Sequence, residues 1–71
     1  MKVKEIIFIV EEDLEKGYTA QALGYSIFTE GETLKELKEN VKDALKCHFN
    51  KEELPLYVCL HIVKEEKFAC A

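Results

Sequence analysis

The chain has 71 residues, of which 48% are hydrophobic and 34% charged, and its formal net charge at pH 7 is −4. This length predicts a single domain over residues 1–71, of a size that buries only about 60% of the unfolded chain's surface. The acidic balance argues against a general nucleic-acid binder, since such proteins neutralise phosphates with an excess of Lys and Arg. We therefore expect a small globular domain that does not bind DNA directly.

The N-terminal residues lack the features of a targeting segment. Their apolar run covers only residues 6–10. A secretory signal needs about 7–15 apolar residues, and a membrane span needs about 20. The cysteines are odd in number and form no Cys-x-x-Cys pair, unlike those of disulfide-stapled secreted domains. We therefore expect a cytoplasmic protein with reduced thiols and no membrane contact.

Three short strands are predicted first along the chain. The run 3–12 alternates, and it is apolar on both faces in its middle. A polar turn containing Gly17 leads to a second run, 18–23, and Gly24-Tyr25 leads to a third, 26–30. Because turns this short join neighbouring strands, the three runs predict an antiparallel meander.

The strongest local pattern is that of a helix beginning after Thr33. Thr33 and Glu36 have the spacing of a Thr-x-x-Glu capping box. Apolar residues then recur every three or four positions along one stripe, namely Leu34, Leu37, Val41, Ala44 and Leu45. The stripe continues through His48 to Phe49, and Asn50 is the predicted C-cap.

A last strand is predicted over residues 56–63. The order β-β-β-α-β predicts an α+β fold of two layers: an antiparallel three-stranded meander, one helix and a final strand. One helix covers one face of such a sheet, so the apolar residues of the other face stay open. Open apolar patches usually mark interfaces, which predicts a homo-oligomer. The predicted oligomer interface consists of Ile7, Ile9, Cys59 and Val63.

The Cys and His residues do not have the spacing of a metal site. No Cys-x(2–4)-Cys or His-x(3–5)-His pair occurs, and we expect neither a metal nor a cofactor. A Cys-His nucleophile would also need an oxyanion-binding turn, and no glycine lies near a cysteine in sequence. We therefore expect the cysteines to be buried and inert.

Carboxylates are numerous, and they raise the alternative of a metal-dependent nuclease. Such a site would need Glu11 to converge with Glu36 or Glu39 and with a carboxylate at the centre of the last strand, where none occurs. Phosphate-binding Gly-x-Gly-x-x-Gly and Walker patterns are also missing. A residual nuclease is the weakest alternative, and we expect no enzymatic activity from this chain.

A resemblance to a known family rests on three blocks of sequence. They are Gly17-Tyr18-Thr19-Ala20, then Leu23-Gly24, and then Thr29-x-Gly31-x-Thr33-Leu34-x-Glu36 running into Asn40 and Ala44. The third block, a turn glycine directly before a Thr-capped helix, is the most specific. Through these blocks the stretch 6–45 resembles the HicB-like antitoxin family, particularly its short stand-alone members.

This resemblance implies both a fold and a role. The implied fold is a β-β-β-α-β unit, a degenerate relative of the RNase H core. The implied role is neutralisation of HicA, a small mRNA-cleaving toxin, by covering its surface. Full-length members add a C-terminal DNA-binding domain. This chain ends about eight residues after its predicted last strand, so we expect that domain to be absent.

Some short relatives are labelled as a subunit of 2-oxoisovalerate dehydrogenase. The residues do not support that label, because a thiamine-diphosphate enzyme subunit needs several hundred residues and a cofactor-binding motif.

The leading hypothesis is therefore a protein-binding module for a small basic toxin. Tyrosines and charges opposite to the partner's are favoured at such surfaces. The predicted partner contacts are Glu11, Glu12, Asp13, Tyr18, Tyr25 and Tyr57. For Tyr18 and Tyr57, packing within the protein's own sheet or self-dimer is equally open. The alternative function is an orphan homo-oligomer with no toxin partner.

Overall fold

The computed structural model describes residues 4–15, 17–64 and 68–70. Its elements in chain order are β1 (Glu5–Asp13), β2 (Gly17–Ala22), β3 (Phe28–Gly31), α1 (Leu34–His48), a 3-10 turn (Lys51–Glu53) and β4 (Tyr57–Lys64). The α+β class, with four strands and one α-helix, is confirmed. The 3-10 turn was not predicted. Among the described residues, no helix has the length and apolar character needed to cross a membrane.

The four strands form one mixed sheet in the order β3-β2-β1-β4. β1 pairs antiparallel with β2, and β2 pairs antiparallel with β3. β4 lies parallel to β1, with a register that runs from Glu5 opposite Tyr57 to Glu12 opposite Lys64. The sheet therefore differs from the predicted antiparallel meander, because its fourth strand crosses back to the far side of β1 in the parallel sense.

The parallel direction of β4 follows from the length of α1. The first three strands alternate in direction, so β3 runs the same way as β1. The 15 residues of α1 rise about 1.5 Å each, so they carry the chain back over a strand's length. β4 then starts at the end of the sheet where β1 starts, and it must run parallel to β1.

The core lies between α1 and one face of the sheet. The alternation predicted for β1 is confirmed, because Ile6, Phe8 and Val10 are all buried. The predicted helix stripe is also confirmed at Leu37, Val41 and Leu45. Small side chains on β2 complete the core beneath the helix, namely Ala20 and Ala22. One continuous apolar cluster thus joins the helix to the two central strands.

The predicted start of the helix is confirmed in atomic detail. Thr33 is the N-cap, and its Oγ1 accepts a hydrogen bond from the Glu36 backbone N–H at 3.1 Å. The helix ends at His48 with Phe49 as its C-cap, one residue before the predicted cap. Asn50 instead precedes the 3-10 turn as that turn's N-cap.

Gly31 lets the start of α1 approach β3 closely. A Cβ at Gly31 would lie 2.6 Å from the backbone nitrogen of Leu37. The opposing strand is equally tight, since a Cβ at Gly17 would lie 2.6 Å from the Gly31 carbonyl oxygen, and Gly17 has a φ of +87°. Farther along the helix, Asn40 Nδ2 donates to the Glu30 carbonyl at 2.7 Å. The helix is therefore held against β3 by close backbone approach and a side-chain hydrogen bond.

Candidate protein-binding surfaces

The sheet face opposite α1, called the open face below, contains the whole predicted oligomer interface. Ile7 lies beside Cys59, and Glu11 lies beside Val63, in the register of β1 with β4. Because side chains alternate along a strand, Ile9 shares this face with them. The four predicted interface residues thus form one patch across two adjacent strands. Whether a second copy covers this patch stays a prediction.

The turn between β1 and β2 forms a second surface, the acidic cleft. It is a shallow depression of about 490 Å³ lined by Glu12, Asp13, Leu14, Glu15, Gly17, Tyr18 and Glu32. Asp13 shapes the turn, because its Oδ1 accepts a hydrogen bond from the Glu15 backbone N–H at 2.8 Å. The structure therefore brings together three of the predicted partner contacts, namely Glu12, Asp13 and Tyr18.

Two carboxylates of the acidic cleft were not among the predicted contacts. Glu15 belongs to the turn itself, and Glu32 comes from the loop between β3 and α1. Glu32 reaches the cleft because Tyr18 pairs with Gly31, the residue directly before it. Pairing the residues of β2 and β3 outward from the turn at Gly24 would have shown that Glu32 lies next to Tyr18. Predicted Glu11 follows buried Val10 in the alternation of β1 and so lies on the open face.

The three predicted tyrosines lie in three different environments. Tyr18 is half-buried and packs against the core cluster. Tyr57 is 69% exposed at the start of β4. Tyr25 is half-buried in a ring cluster, with its centroid 5.9 Å from that of His48 and 5.4 Å from that of Phe49. The tyrosines therefore do not form one binding patch, and Tyr25 fastens the β2–β3 turn to the end of α1.

The prediction of buried cysteines is wrong. Cys47, Cys59 and Cys70 are all free and exposed. Cys59 is exposed because α1 lies on the opposite face of the sheet. Cys47 is exposed because it falls outside the apolar stripe of α1. Exposure leaves these thiols accessible to solvent and to reagents.

The structure does not assemble the residues considered for metal chemistry. No group of three or more His, Cys, Asp or Glu residues in the described part of the chain is placed to hold a metal ion. Glu11 lies on the open face, whereas Glu36 lies in the first turn of α1 on the other face. The sheet therefore separates two of the carboxylates that a metal-dependent nuclease site would need to bring together.

The β4 edge is the surface that the sequence prediction missed. The helix was expected to cover one whole face of the sheet, but α1 packs mainly against β3 and β2. On the helix side of β4, Val58 therefore keeps 39% of its surface exposed and Ile62 keeps 44%. On the open face, Val63 is 43% exposed. β4 thus presents apolar side chains to solvent from both faces of the sheet.

Fold and surfaces together define a small two-layer α+β domain with an open apolar sheet face, an acidic cleft and an uncovered edge strand. The chain belongs to the UPF0150 family. It is 57% identical over 54 residues to a UPF0150 protein of Archaeoglobus fulgidus, and the match covers 76% of this chain and 80% of that protein. A UPF0150 protein of Thermotoga maritima is 48% identical over 66 residues, 93% of each chain.

The family name states no activity, ligand or partner. No family profile matches the sequence, and no solved structure matches it significantly.

Proposed function

We propose that this chain is a small cytoplasmic protein-binding module of the HicB-like type. In this proposal it neutralises a small, basic, mRNA-cleaving toxin similar to HicA by covering the toxin's surface, and it performs no catalysis itself. The order β-β-β-α-β, which the resemblance implies, supports the proposal at the level of the fold. The same order of elements also supports a fold that is a degenerate relative of the RNase H core.

The observation that carries the proposal is the acidic cleft. Four carboxylates line it together with the half-buried Tyr18, from the end of β1, the β1–β2 turn and the loop before α1: Glu12, Asp13, Glu15 and Glu32. A surface of one sign attracts a partner of the other sign and speeds its encounter, since opposed potentials steer diffusion. Tyr18 adds a rigid, partly apolar contact to the same lining. Such a surface suits a compact basic protein.

The first experiment identifies the partner. The tagged chain is used to capture proteins from its native lysate, and captured proteins are read by mass spectrometry. We expect a stoichiometric basic protein of toxin size, encoded beside this chain's gene. Recovery of the chain alone, together with no protection against a neighbouring basic protein when both are expressed, would overturn the antitoxin proposal.

The second experiment tests the acidic cleft with the recovered partner. A triple variant, Asp13→Asn, Glu15→Gln and Glu32→Gln, removes three exposed cleft charges and keeps polar groups of the same shape. Exposed charge pairs contribute up to about 1 kcal/mol each, so we expect Kd to rise by roughly tenfold, mostly through slower association.

The matched control removes three exposed carboxylates elsewhere, by Glu39→Gln, Asp43→Asn and Glu52→Gln. Both variants have the same net charge, so a difference between them measures the cleft and not the overall field. An equal loss of affinity in the two variants would contradict a specific role for the acidic cleft.

An orphan homo-oligomer without a toxin is the alternative function. The observation that favours it is the open face, where apolar side chains of β1 and β4 stand side by side. Ordinary self-association covers such a patch without any foreign partner. The capture experiment separates the two functions, because only the antitoxin proposal requires a second protein.

A further inference from the structure

Over residues 57–63, β4 is an edge strand whose sequence lacks the usual protection against pairing. It occupies one end of the strand order β3-β2-β1-β4. Residues 57–63 contain no charge, no glycine and no proline. Natural edge strands are normally kept short or guarded by Lys, Pro or a bulge, because an exposed row of backbone groups templates another strand. β4 has eight residues, twice the length of the opposite edge strand.

The direction of the backbone groups of β4 is fixed by its pairing with β1. The Tyr57 N–H donates to the Lys4 carbonyl at 3.0 Å, so Tyr57 directs its backbone groups toward β1. N–H and C=O groups point to alternate sides along a strand, so Cys59 and His61 also face β1. Val58, Leu60 and Ile62 then direct their N–H and C=O groups outward, away from the sheet.

We propose that two copies of this chain pair antiparallel along β4, about a two-fold axis at Leu60, to form one continuous eight-stranded sheet. In this register Leu60 of one copy exchanges both backbone hydrogen bonds with Leu60 of the other. Val58 of each copy pairs with Ile62 of the other in the same way. Every hydrogen-bonded pair thus uses residues whose backbone groups already face outward.

The register follows from the self-complementarity of the strand. A two-fold axis at Leu60 pairs all seven uncharged residues 57–63 with one another. An axis at Cys59 or His61 would keep only five of them paired within the run. On the helix side, the pairs are leucine with leucine and valine with isoleucine. Apolar cross-strand pairs of this kind are the unit of sheet stabilisation.

A second copy fits this edge better than a basic protein does. The edge carries no charge over residues 57–63, whereas the acidic cleft carries the charges that attract a cation-rich partner. Two-fold pairing also closes the assembly formed by the described strands, because their remaining edges are the two short β3 strands, which α1 packs against. An open sheet of eight strands lies within the usual range. The inference depends on β4 alone and stands whether or not a toxin is bound.

The first test is the oligomeric state in solution, measured by light scattering and analytical ultracentrifugation. We expect the wild-type chain to be a dimer at tens of micromolar. Ile62→Lys places a charge on the edge at a side chain already 44% exposed, so the monomer should keep its fold. We expect the dimer Kd to rise by more than about a hundredfold, because lysine is the residue that natural edges use to block pairing.

Phe28→Lys is the matched control, because Phe28 is 63% exposed on the opposite edge strand. This variant should remain dimeric. Far-UV circular dichroism of both variants confirms that the fold is kept. A monomeric wild-type chain, or a dimer that survives Ile62→Lys, would overturn the proposal.

The second test reads the register directly. In a background of Cys47→Ser, Cys59→Ser and Cys70→Ser, single cysteines are introduced and treated with a short bismaleimide. Leu60→Cys should cross-link with itself, since the paired residues lie about 5.5 Å apart. Val58→Cys alone should not, because its own counterpart is displaced by four residues, about 13 Å along the strand.

Mixing Val58→Cys with Ile62→Cys should restore the cross-link, because the register sets these two positions opposite each other. This readout needs no substitution that is meant to break the dimer. Self-cross-linking that peaks on the open face, at Ile7→Cys and not at Leu60→Cys, would replace edge pairing by face-to-face stacking and so refute the proposal.

Discussion

The two edge strands of the sheet, β3 and β4, differ in length and in how well they are shielded from solvent. At the β3 edge, the strand is four residues long and α1 packs against it. There, Asn40 of α1 donates a hydrogen bond from Nδ2 to the Glu30 carbonyl of β3 at 2.7 Å. At the β4 edge, the strand is eight residues long and its valine and isoleucine side chains stay about two-fifths exposed.

This difference shows that a single helix can cover only part of the sheet in a small domain. Packed mainly against β3 and β2, α1 completes a core with the buried side chains of β1 and β2 and leaves β4 partly uncovered. A 71-residue chain buries a smaller fraction of its unfolded surface than larger domains do, about 60%. We infer that the part of the sheet under α1 stabilises the protomer, whereas the β4 edge provides the contact between copies.

The sharpest test of this division compares equal truncations in the two regions. Leu37→Ala removes a fully buried side chain of α1, and we expect a loss of about 2–5 kcal/mol in unfolding free energy. Ile62→Ala removes a side chain that is already 44% exposed, and we expect a loss below about 1.5 kcal/mol in the monomer. Urea unfolding at low protein concentration measures both values. Equal losses would contradict the division.

A second comparison concerns glycines at the covered and uncovered parts of the chain. Gly31→Ala forces a methyl group to within 2.6 Å of the Leu37 backbone, so α1 must move away from β3. We expect a cost of about 1–3 kcal/mol and weaker protection of β3 amides in hydrogen exchange. Gly24→Ala meets no atom within 4 Å and pays only for its φ of +82°. It should cost about 1–2 kcal/mol without exposing β3.

The smallest expected effect is that of the hydrogen bond between α1 and β3. Asn40→Ala removes the donor to the Glu30 carbonyl, and we expect a loss of about 0.5–1.5 kcal/mol. For a domain of this size, that corresponds to a drop in Tm of roughly 2–12 °C. Thr33→Ala is the control, because it removes a helix cap of similar strength without a link to β3. Only Asn40→Ala should speed hydrogen exchange at the β3 edge.

The elements themselves were predictable because each has a strong local signal. Alternation placed Ile6, Phe8 and Val10 on one face, and the structure buries all three. The Thr-x-x-Glu spacing located the helix start at Thr33. In the most specific block of the resemblance, a glycine directly precedes the capped helix. The structure explains this glycine, because a side chain at Gly31 would collide with the backbone of Leu37.

The features that were missed depend on how the elements are arranged. Periodicity gives the two faces of a strand but not its direction, so the parallel pairing of β4 required the length of α1 to be considered with the strand count. The lateral position of α1 also left no local signal. That position exposes Val58 and Ile62. Glu32 joins the acidic cleft through the register of β2 with β3, which no local pattern in the sequence indicates.

The crossover from β3 through α1 to β4 has a consequence for the order of events during synthesis and folding. Ile6 pairs with Val58, more than fifty positions later, whereas the β1–β2 and β2–β3 hairpins join near neighbours in sequence. Non-local pairings form more slowly because a long loop must close first. On the ribosome, one side of β1 therefore stays unpaired until residues 57–64 have emerged, and β4 is the last of the four described strands to dock.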